Sequence, residues 1–272
     1  MSQSGGYEDY AFIAEYYDHV IPYRNRADIS FYVEAAKEVG GSVLELGCGT
    51  GRVLIPVARS GVDIVGIDLS PHMLTICRER LQQEPEKVRE RAQIVQADMR
   101  DFSLDRSFAL ATTPFRPFQH LITVEDQVSC LESVNRHLVA GGLLILDIFN
   151  PSLESLTRDN LGEEFAEEPG FEMPDGRRVI RRHKVVERDL FNQVNHVELI
   201  YYVTHPDGRE ERLVHEFPMR YLFRYEAQHL LERCGFELLD IYADFEKNPY
   251  GSKYPGELIL VAKKVHADGS DH

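Results

Sequence analysis

The sequence contains no tryptophan, and its four cysteines stand apart from one another. Cys48, Cys77, Cys130 and Cys234 show no CxxC spacing, which excludes a zinc ribbon and a disulfide-stapled secreted miniprotein. No apolar run approaches the about 18 residues that a membrane-spanning helix needs. The opening residues, MSQSGGYEDYAF, lack a basic start and an apolar stretch, so no secretory leader is expected. Positive charge is scarce: 30 Lys and Arg face 45 Asp and Glu, a formal net charge of −15. Readers of polyanions need a basic face to displace counterions. Neither nucleic acid nor an anionic membrane surface is therefore an expected partner. The 11 histidines include no H-E-x-x-H pair, and no metal site is expected. The class that remains is a cytoplasmic protein.

What is present is a chain of 272 residues, 43% hydrophobic, enough to bury a core without staples. Its length allows one large α/β domain or two small ones. Short apolar runs at 43–46, 63–68, 92–96, 108–112 and 143–148 read as buried strands. Helical patterns separate them. Ile29, Val33 and Ala36 share a face before the first strand. Ser70-Pro71 is a helix start, because serine caps free N–H groups and proline at the first position loses no hydrogen bond. Met73, Leu74, Cys77 and Leu81 then share a face. Val124, Val128, Leu131, Val134 and Leu138 form another stripe, with Gly141-Gly142 as its expected stop. Strands alternating with helices imply βαβ units and a parallel sheet covered on both faces. Pro56 falls inside a further predicted helix and implies a kink or an early bend there.

The pattern changes after Asn150-Pro151. From about residue 177 to 223 the chain is rich in β-branched and aromatic residues. Val185-Val186, 197–203 and 213–222 read as three antiparallel strands, with His205-Pro206-Asp207-Gly208 as a hairpin turn. A helix follows to Cys234, and 236–242 and 257–262 close the chain as the last two strands of the main sheet. The expected organisation is a core of residues 1–150 and 224–265, an inserted antiparallel cap at 151–223, and a frayed tail at 266–272.

The strongest signal is Glu45-Leu46-Gly47-Cys48-Gly49-Thr50-Gly51-Arg52, between the first strand and a helix. Glycines there allow a tight turn and close approach of a ligand to the backbone. A phosphate-binding loop would end in Gly-Lys-Ser/Thr, and a dinucleotide fingerprint would need glycine where Arg52 stands, so both patterns fail. The observed order, E-x-G-x-G-x-G, resembles motif I of the class I S-adenosylmethionine-dependent methyltransferases. Asp68 at the second strand end and Asp98-Met99 after the third extend the resemblance. It covers almost the whole chain and is nearest to sugar-nucleotide N,N-dimethyltransferases and related small-molecule enzymes.

The resemblance implies a Rossmann-like sheet of seven strands, six parallel and the last antiparallel, with the cap between the fifth and sixth. It implies S-adenosylmethionine as cofactor. Asp68 would accept the ribose hydroxyls, Asp98 and Met99 would meet the adenine, and Tyr17 of Tyr16-Tyr17-Asp18 would approach the methionine carboxylate. Glu45, Gly47, Cys48, Gly49, Arg52, Leu69, Met73 and Thr113 complete the expected cofactor set. Segment 112–121 follows the fourth strand, where such enzymes meet the acceptor, but Thr113-Pro114-Phe115 is not the [D/N]-P-P-[F/Y/W] of adenine, cytosine or glutamine-amide methylation. Asn248-Pro249-Tyr250 lies after the sixth strand and reads as a turn. His120 is the candidate base, since histidine titrates near neutrality. Arg116 is the candidate for an anionic acceptor group, and Tyr221, with Arg220, for acceptor specificity. The expected partner is a small molecule methylated on nitrogen or oxygen, and monomer and homodimer both stay open. An NAD(P)-dependent oxidoreductase and a non-catalytic cofactor-binding module are the competing readings.

Overall fold

A computed structural model describes residues 10–20, 23, 26–166 and 169–265. The expected tail at 266–272 lies outside the described residues. Strands β1 (Val43–Leu46), β2 (Ile64–Asp68), β3 (Ala92–Gln96), β4 (Phe108–Thr113), β5 (Leu138–Ile148), β10 (Phe236–Tyr242) and β11 (Leu258–Lys264) form one sheet, in the order β10-β11-β5-β4-β1-β2-β3. β1 to β5 pair in parallel, whereas β11 runs antiparallel to both β5 and β10. The Rossmann-like sheet of the sequence reading is therefore present, six strands one way and the last reversed.

All four residues of β1 are buried, because helices cover both faces. Side chains alternate across the sheet. Leu44 and Leu46 join Leu131 and Val134 of α6 (Val124–His137) on one side. Val43 meets Phe31 of α2 (Asp28–Val39), Leu54 of α3 (Leu54–Arg59) and Leu74 of α4 (Pro71–Gln82) on the other. α4 starts as expected: Ser70 Oγ accepts from the Met73 N–H at 3.3 Å and Pro71 takes the first position. Pro56 is the third residue of α3, between the Ile55 N–H bond to the Gly51 carbonyl and the Val57 N–H bond to the Val53 carbonyl, both 3.1 Å. One local expectation needs correction. Gly141-Gly142 do not stop α6, which ends at His137. They lie inside β5, where the register against β4 shifts between Phe108 and Leu110 and Gly141 takes φ +73°.

Between β5 and β10 the chain builds a separate antiparallel sheet, β6 (Phe171–Glu172), β7 (Arg178–Asp189), β8 (Val194–Thr204) and β9 (Glu210–Arg220), in sequential order. It has four strands rather than the three expected. Helix α1 (Ala11–Tyr17) wedges between the two sheets: Ile13 and Ala14 pack on Met73, while Tyr16 packs on Met173, Val179 and Tyr201. Gln119 bolts the junction from the other side. Its amide donates to the Arg220 carbonyl at 2.9 Å and accepts from the Phe149 N–H at 2.5 Å.

A buried charge network ties the residues preceding α2 to the strand ends. Arg52 donates twice to Asp28, at 2.6 Å each. Arg26 reaches Asp28 (3.3 Å), Asp147 (2.8 Å) and Glu257 (3.5 Å), and Arg116 reaches Glu257 at 2.7 Å. Removing one member strands a buried charge. Arg52→Ala is expected to cost about 3–5 kcal/mol in urea unfolding, with much of it recovered in the double variant Asp28→Leu/Arg52→Met. Equal stability of Arg52→Ala and wild type would contradict this account.

Candidate active site

The parallel strands end on one side of the sheet, and a cleft of about 630 Å³ opens there. That volume lies within the range of small-molecule sites. The turn after β1, the end of β2 and the segment after β3 all reach it. Gly47 and Gly49 contribute backbone, Asp68, Leu69 and Met73 line the β2–α4 side, and Asp98 and Met99 line the β3 side. Tyr17 enters from α1, and His120 from the 3₁₀ turn Pro117–His120.

The glycines differ in what they allow. Gly47 has φ +68°, and a Cβ there would lie 2.6 Å from Pro117. Gly49 has φ +53° and nothing within 4 Å of the same position. Gly47 thus serves packing, whereas Gly49 opens its backbone to the space where a ligand would lie. Asp68 holds this arrangement. Its carboxylate accepts from the Gly49 N–H and the Ser70 N–H, both at 2.8 Å, so the loop and the start of α4 hang on one side chain. Asp98 accepts from the Arg100 N–H at 2.9 Å and from its guanidinium. Burial pushes the Asp98 carboxyl up, but the bonds from Arg100 prevail and hold it below its ordinary range. Arg100 also lies 3.6 Å from Asp126, at the start of α6.

Six of the residues expected at the site lie outside the cleft lining. Glu45 is buried within the sheet, and burial, with Cys77 adding to it, raises its carboxyl well above the carboxylate range. Cys48 is buried in thiol contact with Cys77. The Arg52 fork is taken by Asp28. Thr113 accepts from the Asp147 N–H at 3.3 Å and faces β5. Arg116 turns away to Glu257 and lies over Phe149. Tyr221 follows Phe217 by four residues, about 13 Å along an extended strand, and packs edge-on against Phe223.

Other residues take their place. Phe115 lines the cleft and is held by an unusual turn: Phe115 and Arg116 adopt φ +64° and +70° in succession. Such a conformation costs about 1–3 kcal/mol per non-glycine residue. The charge network offsets it, because the Phe115 N–H donates to Asp147 at 3.1 Å and the ring lies under Arg26 and Arg52. Phe217 and Pro218 of β9 complete the opposite wall, with Phe217 5.3 Å from the His120 ring centroid. Periodicity could mark Phe217 as inward-facing within its strand, but not which element its strand would face.

His120, the candidate base, sits among buried groups of the wall. Burial lowers its pKa to about 4. Burial also raises the Tyr17 phenol, outweighing the opposing pull of Arg52, so it remains a donor. Among the described residues no group of three or more metal-ligating side chains occurs, and no helix is long and apolar enough to cross a membrane.

The profile of a methyltransferase-domain family matches residues 43–142. A Streptomyces venezuelae dTDP-3-amino-3,4,6-trideoxy-alpha-D-glucopyranose N,N-dimethyltransferase is 32% identical over 121 residues, 44% of this chain and 48% of that enzyme. The chain thus spans about half the length of that relative. The putative methyltransferase YqeM of Bacillus subtilis is 24% identical over 241 residues, 87% of this chain and 90% of its own. The solved CcbJ methyltransferase from Streptomyces caelestis superposes with a TM-score of 0.74 at 22% identity, covering 96% of this chain and 98% of its own. The structural likeness shows the fold, and residues 43–142 are similar to a methyltransferase-domain family.

The depressed His120 pKa has a stability consequence. The unfolded chain takes up this proton near pH 6.5, and the folded chain only near pH 4. Stability is therefore expected to fall as pH drops from about 6.5 to 4, because the unfolded state binds more protons there. In thermal melts across that window His120→Asn is expected to show a shallower loss than wild type. An identical slope would show that His120 titrates normally.

Proposed function

We propose that this chain is an enzyme that transfers a methyl group from S-adenosylmethionine to a nitrogen of a small-molecule acceptor. The observation that carries the reading is the convergence of three successive strand ends, at Gly47-Gly49, Asp68 and Asp98-Met99, on one cleft. The residues there suit the cofactor: an open backbone at Gly49, and carboxylates at two strand ends. In this reading Asp68 receives the ribose hydroxyls, and Asp98 and Met99 flank the adenine. Leu69 and Met73 pack along the nucleoside, and the Tyr17 phenol donates at the methionine end.

The bound cofactor supplies an electrophilic methyl group on a positively charged sulfur. The chain must align the acceptor lone pair with it and keep water out, and much of the acceleration can come from that alignment. A free-base amine needs no proton removed before it attacks, whereas a hydroxyl needs a base near the working pH. His120, with a pKa of about 4, is a poor base for that task. This supports nitrogen, as does the amino-sugar acceptor in the name of the S. venezuelae relative. His120 then acts as a neutral hydrogen-bonding wall that orients the acceptor.

The inserted segment 151–223 serves as the acceptor cap over a core of 1–150 and 224–265. Phe217 and Pro218 are its contribution to the cleft. A small-molecule acceptor, rather than a nucleic acid, agrees with the net charge of −15. The buried free cysteines suit a reducing compartment, which supports a cytoplasmic location.

Calorimetry with S-adenosylhomocysteine and with NADH tests the cofactor. The sulfur ligand is expected to bind and NADH not; no binding of the sulfur ligand at millimolar concentration would sink the reading. Asp68→Ala is expected to weaken that binding at least about tenfold, through loss of charge-assisted bonds and of the loop they hold. With an amine acceptor, kcat/KM is expected to rise with pH along the acceptor's own pKa. An ascending limb near pH 6.5 that vanishes in His120→Asn would instead make His120 a base.

A further inference from the structure

The lining of the cleft divides chemically. Its charged side chains, Asp68, Asp98, Asp126 and Arg100, come from the ends of β2 and β3 and the first turn of α6. That is three carboxylates against one guanidinium, and the guanidinium is already held by Asp98 and Asp126. The other part is built from segment 114–122 and from Phe217 and Pro218. It presents the rings of Phe115 and Phe217, three prolines, Leu121 and Ile122, with His120 as its only titratable side chain.

Among the described residues, the cations near this apolar part lie outside the cleft lining and are bonded elsewhere through their terminal nitrogens, while Nε of Arg26, Arg116 and Arg220 keeps no hydrogen-bond partner. Arg116 is adjacent in sequence to Phe115 and is bound to Glu257. Arg220 follows Pro218 by two residues and donates to the Ile122 carbonyl at 2.8 Å, with Glu226 at 3.7 Å. Arg26 and Arg52 lie over the Phe115 ring, 4.9 and 5.4 Å from its centroid, and pair with Asp147 and Asp28. Releasing any of them for a ligand would leave a buried or half-buried carboxylate or carbonyl unpaired, a penalty that opposes recruitment.

A diphosphate entering this cleft would meet net negative charge at one end and an apolar wall at the other. Neither offers the forked or point-charge donors that phosphate recognition uses. The same wall suits a different ligand. Methyl transfer to an amine moves positive charge from sulfur to nitrogen, and aromatic faces favour a cation close by. An apolar acceptor body would gain on leaving water for the apolar part, whereas an unpaired polar or charged group would not.

We propose that the acceptor is an amine carried on an uncharged, largely apolar body, and that the cleft rejects nucleoside diphosphates. The proposal rests on the methyltransferase reading and narrows its substrate class. It assigns Phe217 as a specificity-determining residue, and Ile122 as a position where absence of charge is itself a filter.

The test is a set of titrations on the full chain. S-adenosylhomocysteine comes first, and its failure to bind would remove the methyltransferase reading itself. On the complex with that ligand, N-methylbenzylamine is expected to bind saturably at millimolar concentration, and thymidine diphosphate is expected not to bind. Phe217→Leu is expected to weaken the amine roughly fivefold, from loss of the ring face. Ile122→Lys, at a half-buried position, is expected to weaken the amine and to admit thymidine diphosphate. Circular dichroism confirms that each variant is folded, and either one alone suffices for the comparison. Saturable binding of thymidine diphosphate to the wild-type complex would overturn the proposal while leaving the methyltransferase reading intact. So would failure of the amine to bind, or amine binding indifferent to both substitutions.

Discussion

Six charges behind the cleft, on Arg26, Arg52, Arg116, Asp28, Asp147 and Glu257, sum to zero and hold one another through bonds mostly under 3 Å. Much of the site depends on this balance. Asp28 and Asp147 are fully buried, and neither carboxylate could persist there without its guanidinium. The network joins five stretches distant in sequence: the entry to α2, the glycine loop through Arg52, the turn after β4 through Arg116, the end of β5, and the approach to β11 through Glu257. Asp147 also accepts from the Phe115 N–H, so the same carboxylate that anchors Arg26 fixes the left-handed turn. That turn sets the Phe115 ring as a cleft wall. A strained conformation is maintained where surroundings over-determine it, and here the surroundings are a connected set of ion pairs. Arg52 and Arg116, expected from the sequence as ligand contacts, are bonded to Asp28 and Glu257.

A second network secures the mouth of the glycine loop. Asp18 accepts from Thr50 at 3.0 Å and pairs with Arg80 at 2.7 Å, and Arg80 also reaches the Thr50 carbonyl at 3.2 Å. Helix α1 is thereby pinned to the loop and to α4 at once. Tyr17, adjacent to Asp18, is carried into the cleft by that attachment. Since Tyr16 packs into the antiparallel sheet, one short helix sets the distance between that sheet and the strand ends. Half of the cleft's geometry is therefore set by contacts outside it.

The strand ends were legible because their information is local. Four- to six-residue apolar runs, glycines at the first turn and acids at the next two ends each fall within a few residues of one another. The directions of individual side chains were not. Glu45, Cys48 and Thr113 belong to segments that reach the cleft, but a strand shows its residues alternately to two faces. Only the packed structure decides which face meets the ligand. Arg26 pairs with Asp147 across 121 residues, and Arg116 with Glu257 across 141. No spacing rule connects such positions. His120 is a case of a different kind: its position was readable but its pKa was not, because burial comes from elements far away in sequence.

The consequence for the chemistry is that the cleft contains little that could do acid–base work. Its histidine is held neutral down to about pH 4, its phenol stays protonated, and its nearby arginines are spent on the frame. On the methyl-transfer reading proposed above, such a site would obtain its rate from placement, and placement demands rigid walls. Those walls are what the ion pairs, the left-handed turn and the Gln119 bolt supply. Well-oriented reactants gain effective molarities on the order of 10⁵ M or more, about 7 kcal/mol of barrier. A displacement of a wall by an ångström forfeits much of that advantage. A site of this design is therefore most vulnerable not at the groups that face the substrate but at the buried charges behind them. There a single substitution strands a partner and frees a wall.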